Sequence, residues 1–491
     1  MKYTSTRNAS LSLDASRCFV EGISREGGLF VPESVPEISL TEIAAMAEMS
    51  YSERAFQVLS RYLTDFSADE LKDCIQNAYT LKFDEQGVAP LHLLSDSRAV
   101  MELYHGPTLA FKDVALQILP HFLRYAKEKQ QEHDTVLILV ATSGDTGKAA
   151  LEGFADVPGM GISVFFPNQG VSRMQQLQMT TQEGENVLVC AVNGNFDDAQ
   201  TGVKKIFADE AIRAELAKKH IKLSSANSIN WGRLVPQIVY YFSAYADLLK
   251  AGRIRVGDKI NFVVPTGNFG DILAGYYAKK MGLPVNKLIC ASNKNKVLTD
   301  FFATGYYNAK REFYKTQSPS MDILISSNLE RLLFDLSGRD DRLVADLMKQ
   351  LKENGGYQVS DRVKAGMDEL FAAGFADEEE TAEAIRTVWE QEHYAIDTHT
   401  AVGVAVYEKV RAADDTPTVL LSTASPYKFP HAVLTAMNGT CPEDEFDAAD
   451  TLAAQGVKMP RQIAELKQKT VLHRGVCDKE AMPDVILKFG E

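Results

Sequence analysis

The sequence predicts an α/β protein built on parallel sheet. Three stretches carry that expectation: "TVLILVATSGDTGKAALEGFA", "INFVVPTGNFGDILAGYYAKKMG" and "TVLLSTASPYKFPHAVLTAM" each run from a short apolar strand through a turn of small residues into a helix. Strand, turn and helix alternating in this way imply a parallel α/β sheet. In such sheets ligands gather at the carboxyl ends of the strands, where loops converge and helix N-termini direct free N–H groups. The three loops are therefore expected to face one pocket.

The 491 residues exceed one small core, so two to four domains or subdomains are expected. Residues 1–95 combine the turn "REGGLFVPESVP" with helical periodicity in "SLTEIAAMAEMSYSERAFQVLSRYL", and are taken as an N-terminal unit with Ser39 or Thr41 as a helix cap. Residues 96–440 hold all three loops and form the catalytic region. Within it, residues 328–392 show charged amphipathic patterns interrupted by "GG", expected to be a helical insertion with a solvated charged face. Residues 441–491 are assigned as a closing helical segment.

Composition narrows the function. The chain has 52 basic and 66 acidic side chains, a formal charge of −14, and no basic arm, which argues against nucleic acid or an anionic membrane as partner. A small anionic substrate would need a local cationic pocket. Six cysteines lie scattered without CxxC pairs, so neither a zinc site nor a disulfide framework is expected, and a reducing compartment fits. The start "MKYTSTRNAS" lacks an apolar signal core and no run reaches about 18 apolar residues, so a cytoplasmic protein is expected. His393 and His399 in "HYAIDTHT" lack HExxH spacing, and no GxSxG serine finds a base. No metal is expected.

"HGPTLAFKDV" places Lys112 among Leu109, Ala110, Phe111, Val114, Ala115 and Leu116. Desolvation there disfavours the ammonium and frees the amine, as a Schiff-base lysine requires. The alternatives are a head group that snorkels to water and one that pairs with Asp113. In "TGNFGD", Gly267 and Gly270 permit close backbone approach, and the N–H groups at the following helix start can hold a phosphate; a plain tight connection is the alternative. In "ATSGDTGKAA", Ser143, Thr146 and backbone donors suit a carboxylate, and Asp145 is alternatively an N-cap. In "STASPYKFP", Ser422 and Thr423 offer neutral hydrogen bonds ahead of Lys428, or form an ordinary turn. Neither a P-loop nor a GxGxxG helix start is present.

Taken in order, "HGPTLAFKD", "ATSGDTG", "PTGNFGD" and "STASPYKFP" resemble the threonine synthases, fold type II pyridoxal phosphate enzymes of the tryptophan-synthase-β-like class. The resemblance extends to "YTSTRN", "GGLFVP", "SANSINWGRLVPQIVYY" and the helical insertion, and so spans nearly the whole chain. It implies two α/β subdomains with parallel or mixed sheets, plus the N-terminal unit and the insertion. It also implies pyridoxal 5'-phosphate linked as a Schiff base to Lys112. The backbone of Gly267, Asn268, Phe269 and Gly270 would hold the cofactor phosphate beside Asp271, and Thr423 would meet the pyridine nitrogen.

The reaction so implied converts O-phospho-L-homoserine and water to L-threonine and phosphate, with no obligate protein partner. Ser143, Asp145, Thr146, Lys148, Asn230, Arg233 and Lys428 are the substrate-side expectations, with Arg233 foremost for the phosphate. Asp145 departs from the Asn that relatives acting on amino acids often carry in an "SGN" loop. The alternatives are a serine/threonine dehydratase or β-replacing synthase of the same fold, and a non-catalytic phosphate-ligand-binding relative. The N-terminal unit and "SINWGR" argue against the first, and the intact Lys112 against the second.

Overall fold

Two parallel sheets organise the chain. The computed structural model describes every residue except Leu81, Glu85, Gln86, Asp96, Ser143, 412–414 and Glu491. The larger sheet has six strands in the spatial order Phe371–Phe375, Val285–Ser292, Ile260–Pro265, Thr418–Ser422, Arg98–Glu102 and Leu91–Leu93. All neighbouring pairs are parallel except the last, an antiparallel edge. The smaller sheet is parallel throughout, in the order Gly475–Asp478, Val187–Asn193, Met160–Pro167, Thr135–Ala141 and Ile221–Ser224. The apolar runs singled out in the sequence are central strands: Ile260–Pro265 and Thr418–Ser422 are buried at every position, as strands covered on both faces must be.

The helix Trp231–Lys250 ties the parts together. Its side chains are buried on all faces over most of its 20 residues, the pattern of a helix sheathed in protein rather than lying on a surface. It packs on the helix Gly270–Lys280, on the helix Lys112–Leu116 and on the N-terminal helix Tyr51–Tyr62. The N-terminal unit contributes a three-stranded antiparallel sheet and helices. Ser39 caps the first of the helices predicted there through a reciprocal box with Glu42. This unit is fused to the rest: Tyr3 and Tyr62 each bring a ring within 5.7 Å of Trp231, and Arg7 grips Glu330 with two bonds of 2.8 and 2.7 Å.

Three boundaries differ from expectation. Residues 328–392 are not a purely helical insertion, because Phe371–Phe375 is the parallel edge strand of the larger sheet and Gly356–Gln358 pairs with Tyr306–Asn308. The closing segment is not purely helical either, since Gly475–Asp478 pairs with Val187–Asn193. The N-terminal boundary at residue 95 cuts a hairpin whose strands Leu91–Leu93 and Arg98–Glu102 both belong to the larger sheet. The second pairing brings Cys190 Sγ and Cys477 Sγ to 3.5 Å as free thiols. Among the described residues no helix is long and apolar enough to cross a membrane.

Candidate active site

Lys112 opens the helix Lys112–Leu116, and its loop is stitched to the loop after the strand Thr418–Ser422. The Phe111 N–H donates to the Thr423 carbonyl at 2.8 Å and the Ser425 N–H to the Leu109 carbonyl at 3.0 Å. Leu109 is buried with φ +61°, a left-handed conformation that a residue with a branched side chain holds only when its surroundings enforce it. Neither alternative proposed for Lys112 holds. Asp113 turns away, accepting from the Thr108 N–H at 2.8 Å and the Thr108 hydroxyl at 2.7 Å. The Lys112 side chain retains 12% of its exposure, and its amine donates to Ser320 Oγ at 2.9 Å and to Asp145 Oδ2 at 3.4 Å. Burial lowers its pKa, the charges of Lys428 and Arg233 push the same way, and Asp145 opposes them.

Asp145 is not the helix cap. The N-cap of the helix Asp145–Phe154 is Gly144, and the Asp145 carboxylate lies between two lysines instead. Lys428 Nζ is 2.7 Å from its Oδ1, an ion pair rather than an aligned hydrogen bond, and Lys112 meets Oδ2. Burial raises the pKa of Asp145, but the two ammonium groups outweigh it and hold the carboxyl well below its usual range. Lys428 also donates to the Thr108 carbonyl at 3.2 Å, which anchors it beside the lysine loop.

The glycine loop sits at the end of Ile260–Pro265 and leads into the helix Gly270–Lys280. Phe269 takes φ +64° with its ring buried against Phe302 and Phe371. A Cβ at Gly267 would lie 2.6 Å from the Ser320 carbonyl oxygen, so only glycine lets these backbones meet. The loop is braced from behind, with Ser326 Oγ donating to the Gly267 carbonyl at 2.7 Å and Asn328 donating through its N–H and Nδ2 to the Asn268 carbonyl at 3.1 and 3.0 Å. The carbonyls are thereby turned away, and the leading N–H groups of the helix stay free by helix geometry. Asp271 turns its carboxylate to Tyr240 at 2.5 Å and Tyr241 at 3.0 Å, and burial raises its pKa to about 6 despite those donors.

The remaining expected residues divide. Arg233 is buried, its Nη1 donates to the Ala226 carbonyl at 2.5 Å, and its Nε has no partner. Desolvation lowers its pKa to about 10, and among the described residues no carboxylate pairs with it. Such an orphaned buried cation suits an incoming anion. Thr423 is buried beside the lysine loop, and Thr146 is half-buried in the first turn of its helix. Lys148 is engaged elsewhere, with Glu152 and Gln182, because its place one turn into the helix aims it at the i+4 carboxylate. Asn230 is likewise spent: its Oδ1 caps the helix Trp231–Lys250 at the Gly232 N–H (2.9 Å) and its Nδ2 donates to the Phe19 carbonyl (3.0 Å). Ser143 lies outside the described residues.

Two residues that sequence reasoning missed stand at the centre. Ser320, in the turn Pro319–Met321, receives the Lys112 amine, and its N–H donates to His399 Nε2 at 3.1 Å. His399 had been weighed only as a metal ligand; among the described residues no three His, Cys, Asp or Glu side chains gather as a metal site.

The donor set fits pyridoxal phosphate. A desolvated amine faces the aldehyde role, free N–H groups and a glycine-only contact suit the phosphate, and a neutral threonine lies next to the lysine loop. Residues 2–79 match the family described as "Threonine synthase N terminus", residues 98–423 match "Pyridoxal-phosphate dependent enzyme", and residues 400–474 match "Threonine synthase, C-terminal". The chain is 40% identical over 470 residues to the threonine synthase of Pseudomonas aeruginosa, covering 95% of this chain and 97% of that one. It is 39% identical to that of Schizosaccharomyces pombe, covering 89% and 90%. The solved structure of pyridoxal-phosphate-bound threonine synthase from Brucella melitensis superposes with a TM-score of 0.90 at 38% identity over 100% of both chains. The yeast threonine synthase gives 0.89 at 33%, over 99% and 98%.

Proposed function

The chain belongs to the threonine synthase family, a pyridoxal-phosphate-dependent group, and from that premise we propose that it converts O-phospho-L-homoserine and water to L-threonine and phosphate with Lys112 as its proton carrier. Pyridoxal phosphate, when bound, supplies an aldehyde for an amine to join and a ring that accepts the electrons left on a substrate carbon. Lys112 would hold that aldehyde, and the backbone of Gly267, Asn268, Phe269 and Gly270 would hold the phosphate. Thr423 would offer the ring nitrogen a neutral partner. Asp271 contributes its place in the first helical turn, its carboxylate being tied back by tyrosines.

The observation that carries this reading is the electrostatic setting of Lys112. Burial and two neighbouring cations favour its free amine, and Asp145 keeps it within hydrogen-bond reach of Ser320. Such an amine can take a proton from the substrate Cα and return one at a neighbouring carbon. It can serve both steps because one ε-amine on a four-carbon stem reaches several positions over one face. Arg233, with an unused Nε and no carboxylate partner among the described residues, would grip the phosphate that leaves from Cγ. Lys428 pairs with Asp145, whose other carboxylate oxygen faces Lys112, and so fixes that carboxylate beside the amine. Thr146 is available to the substrate carboxylate from the first turn of its helix.

The match of residues 2–79 to a threonine synthase N terminus supports this reaction over a dehydratase, whose cofactor machinery would be the same. Holoprotein incubated with O-phospho-L-homoserine should release threonine and phosphate in equal amounts, and added pyridoxal phosphate should restore the activity of stripped protein. Release of a 2-oxo acid and ammonia, or no phosphate release, would overturn the reading.

A further inference from the structure

Ser320 and His399 carry no role in the reaction proposed above, yet they stand between the reactive amine and the larger sheet. The backbone N–H of Ser320 is an obligate donor, so its 3.1 Å approach to His399 Nε2 makes that nitrogen the acceptor. The ring proton must then sit on Nδ1, where Asp397 Oδ2 receives it at 2.7 Å. Asp397 is wholly buried and is the N-cap of the helix Thr398–Val410, accepting also from the His399 N–H at 2.9 Å and the Thr400 N–H at 3.0 Å. That helix packs on four strands of the larger sheet. Thr400 Oγ1 further meets Ser422 Oγ at 2.9 Å, in the strand that leads to Thr423.

Ser320 needs such an anchor. It belongs to a three-residue turn with no sheet or long helix to fix it, held upstream by Asn293, whose Nδ2 donates to Ser318 Oγ at 3.0 Å. The same turn presses its Ser320 carbonyl against Gly267, so one rigid point controls both the amine and the glycine loop.

We propose that Asp397, His399 and Ser320 are positioning residues: a chain of hydrogen bonds running from a sheet-borne helix cap to the amine of Lys112, which sets where that amine meets its carbonyl partners. The inference rests on the assignment of Lys112 to the cofactor. When the amine condenses with the cofactor aldehyde, a C=N bond forms and one water leaves. The hydroxyl of Ser320 supplies neither atoms nor electrons to that step and only holds the nitrogen in line.

The test measures two rates on the full chain: capture of pyridoxal phosphate by stripped protein, followed as imine absorbance, and kcat with substrate. Ser320→Ala should slow capture about tenfold and lower kcat about tenfold with KM within about twofold, the signature of lost alignment rather than lost binding. His399→Leu should behave alike. His399→Gln, whose carbonyl can accept the Ser320 N–H, should keep about half of the wild-type rates. Melting temperatures identify a variant that fails to fold; should His399→Leu do so, Ser320→Ala beside Ser320→Thr decides, with Thr expected to stay within about threefold of wild type. Capture within twofold of wild type in Ser320→Ala, or equal losses in folded His399→Leu and His399→Gln, overturns the proposal. Capture needs no substrate, so a chain that captures as predicted yet makes no threonine overturns the proposed reaction and leaves the positioning chain standing.

Discussion

The loops "SGDTG" and "NFGDI" follow one local plan, a parallel strand, a small-residue turn and a helix with aspartate in its first turn, yet the pKa values of their carboxyls are shifted in opposite directions. Asp145 lies between Lys112 and Lys428 and is held far down in pKa. Asp271 faces the hydroxyls of Tyr240 and Tyr241 and is raised to about 6. Both are buried at the head of a helix whose dipole favours a negative charge. What differs is the partner across the gap: full cations on one side, neutral donors on the other. The first arrangement yields an amine kept in place by charge; the second yields a glycine turn beside a carboxyl that holds its proton more readily than usual.

The sharpest way to break this contrast is Asp145→Asn. It leaves Lys428 buried without a counter-ion and Lys112 without its orienting anion, and breaking a buried pair costs about 3–5 kcal/mol. A large fall in melting temperature above pH 5 is expected, with kcat lower by about a hundredfold as the amine loses its orienting anion. Full retention of both would mean that the carboxylate does not organise the lysines.

Arg233→Ala tests the remaining cation. Removing a buried, charge-assisted contact should raise KM for O-phospho-L-homoserine by about ten- to a hundredfold. The affinity for homoserine, which lacks the phosphate, should change little. Equal changes for both compounds would remove Arg233 from phosphate binding.

The smallest effect belongs to Asp271. Its folded pKa lies above the unfolded value, so the fold binds its proton more tightly. That contribution is whole below about pH 4 and is lost as pH rises through about 6. Asp145 behaves oppositely, contributing above the usual carboxylate pKa and losing that contribution as pH falls. Cofactor-free Asp271→Asn should therefore show a flatter stability profile than wild type between pH 4 and about 6, read as urea midpoints, with a difference of about 2–3 kcal/mol at most. An unchanged slope would place the titration elsewhere.

Much of this pair of loops was legible in the sequence because strand, turn and helix are local in sequence. Lys112 and Gly267 were read from their immediate neighbours, Asp271 came only with the family resemblance, and Ser39 was one of two caps considered at the head of its helix, which the box with Glu42 singles out in the fold. What was not legible depends on contacts across long separations. Ser320 lies 208 residues beyond Lys112 in a turn with no periodicity, and His399 acts 79 residues from Ser320. The edge strand Phe371–Phe375 is short, contains Gly374 and follows a helix directly, so helical periodicity masked it. The fates of Lys148 and Asn230 turned on geometry: a side chain one turn from Glu152 and a cap position consumed groups that composition alone left free.

The central claim is that Lys112 carries the cofactor. Holoprotein reduced with borohydride, digested and analysed by mass spectrometry should show the pyridoxyl group on the peptide containing Lys112, in one equivalent per chain. A stable adduct on another lysine, or none at all, would contradict the account.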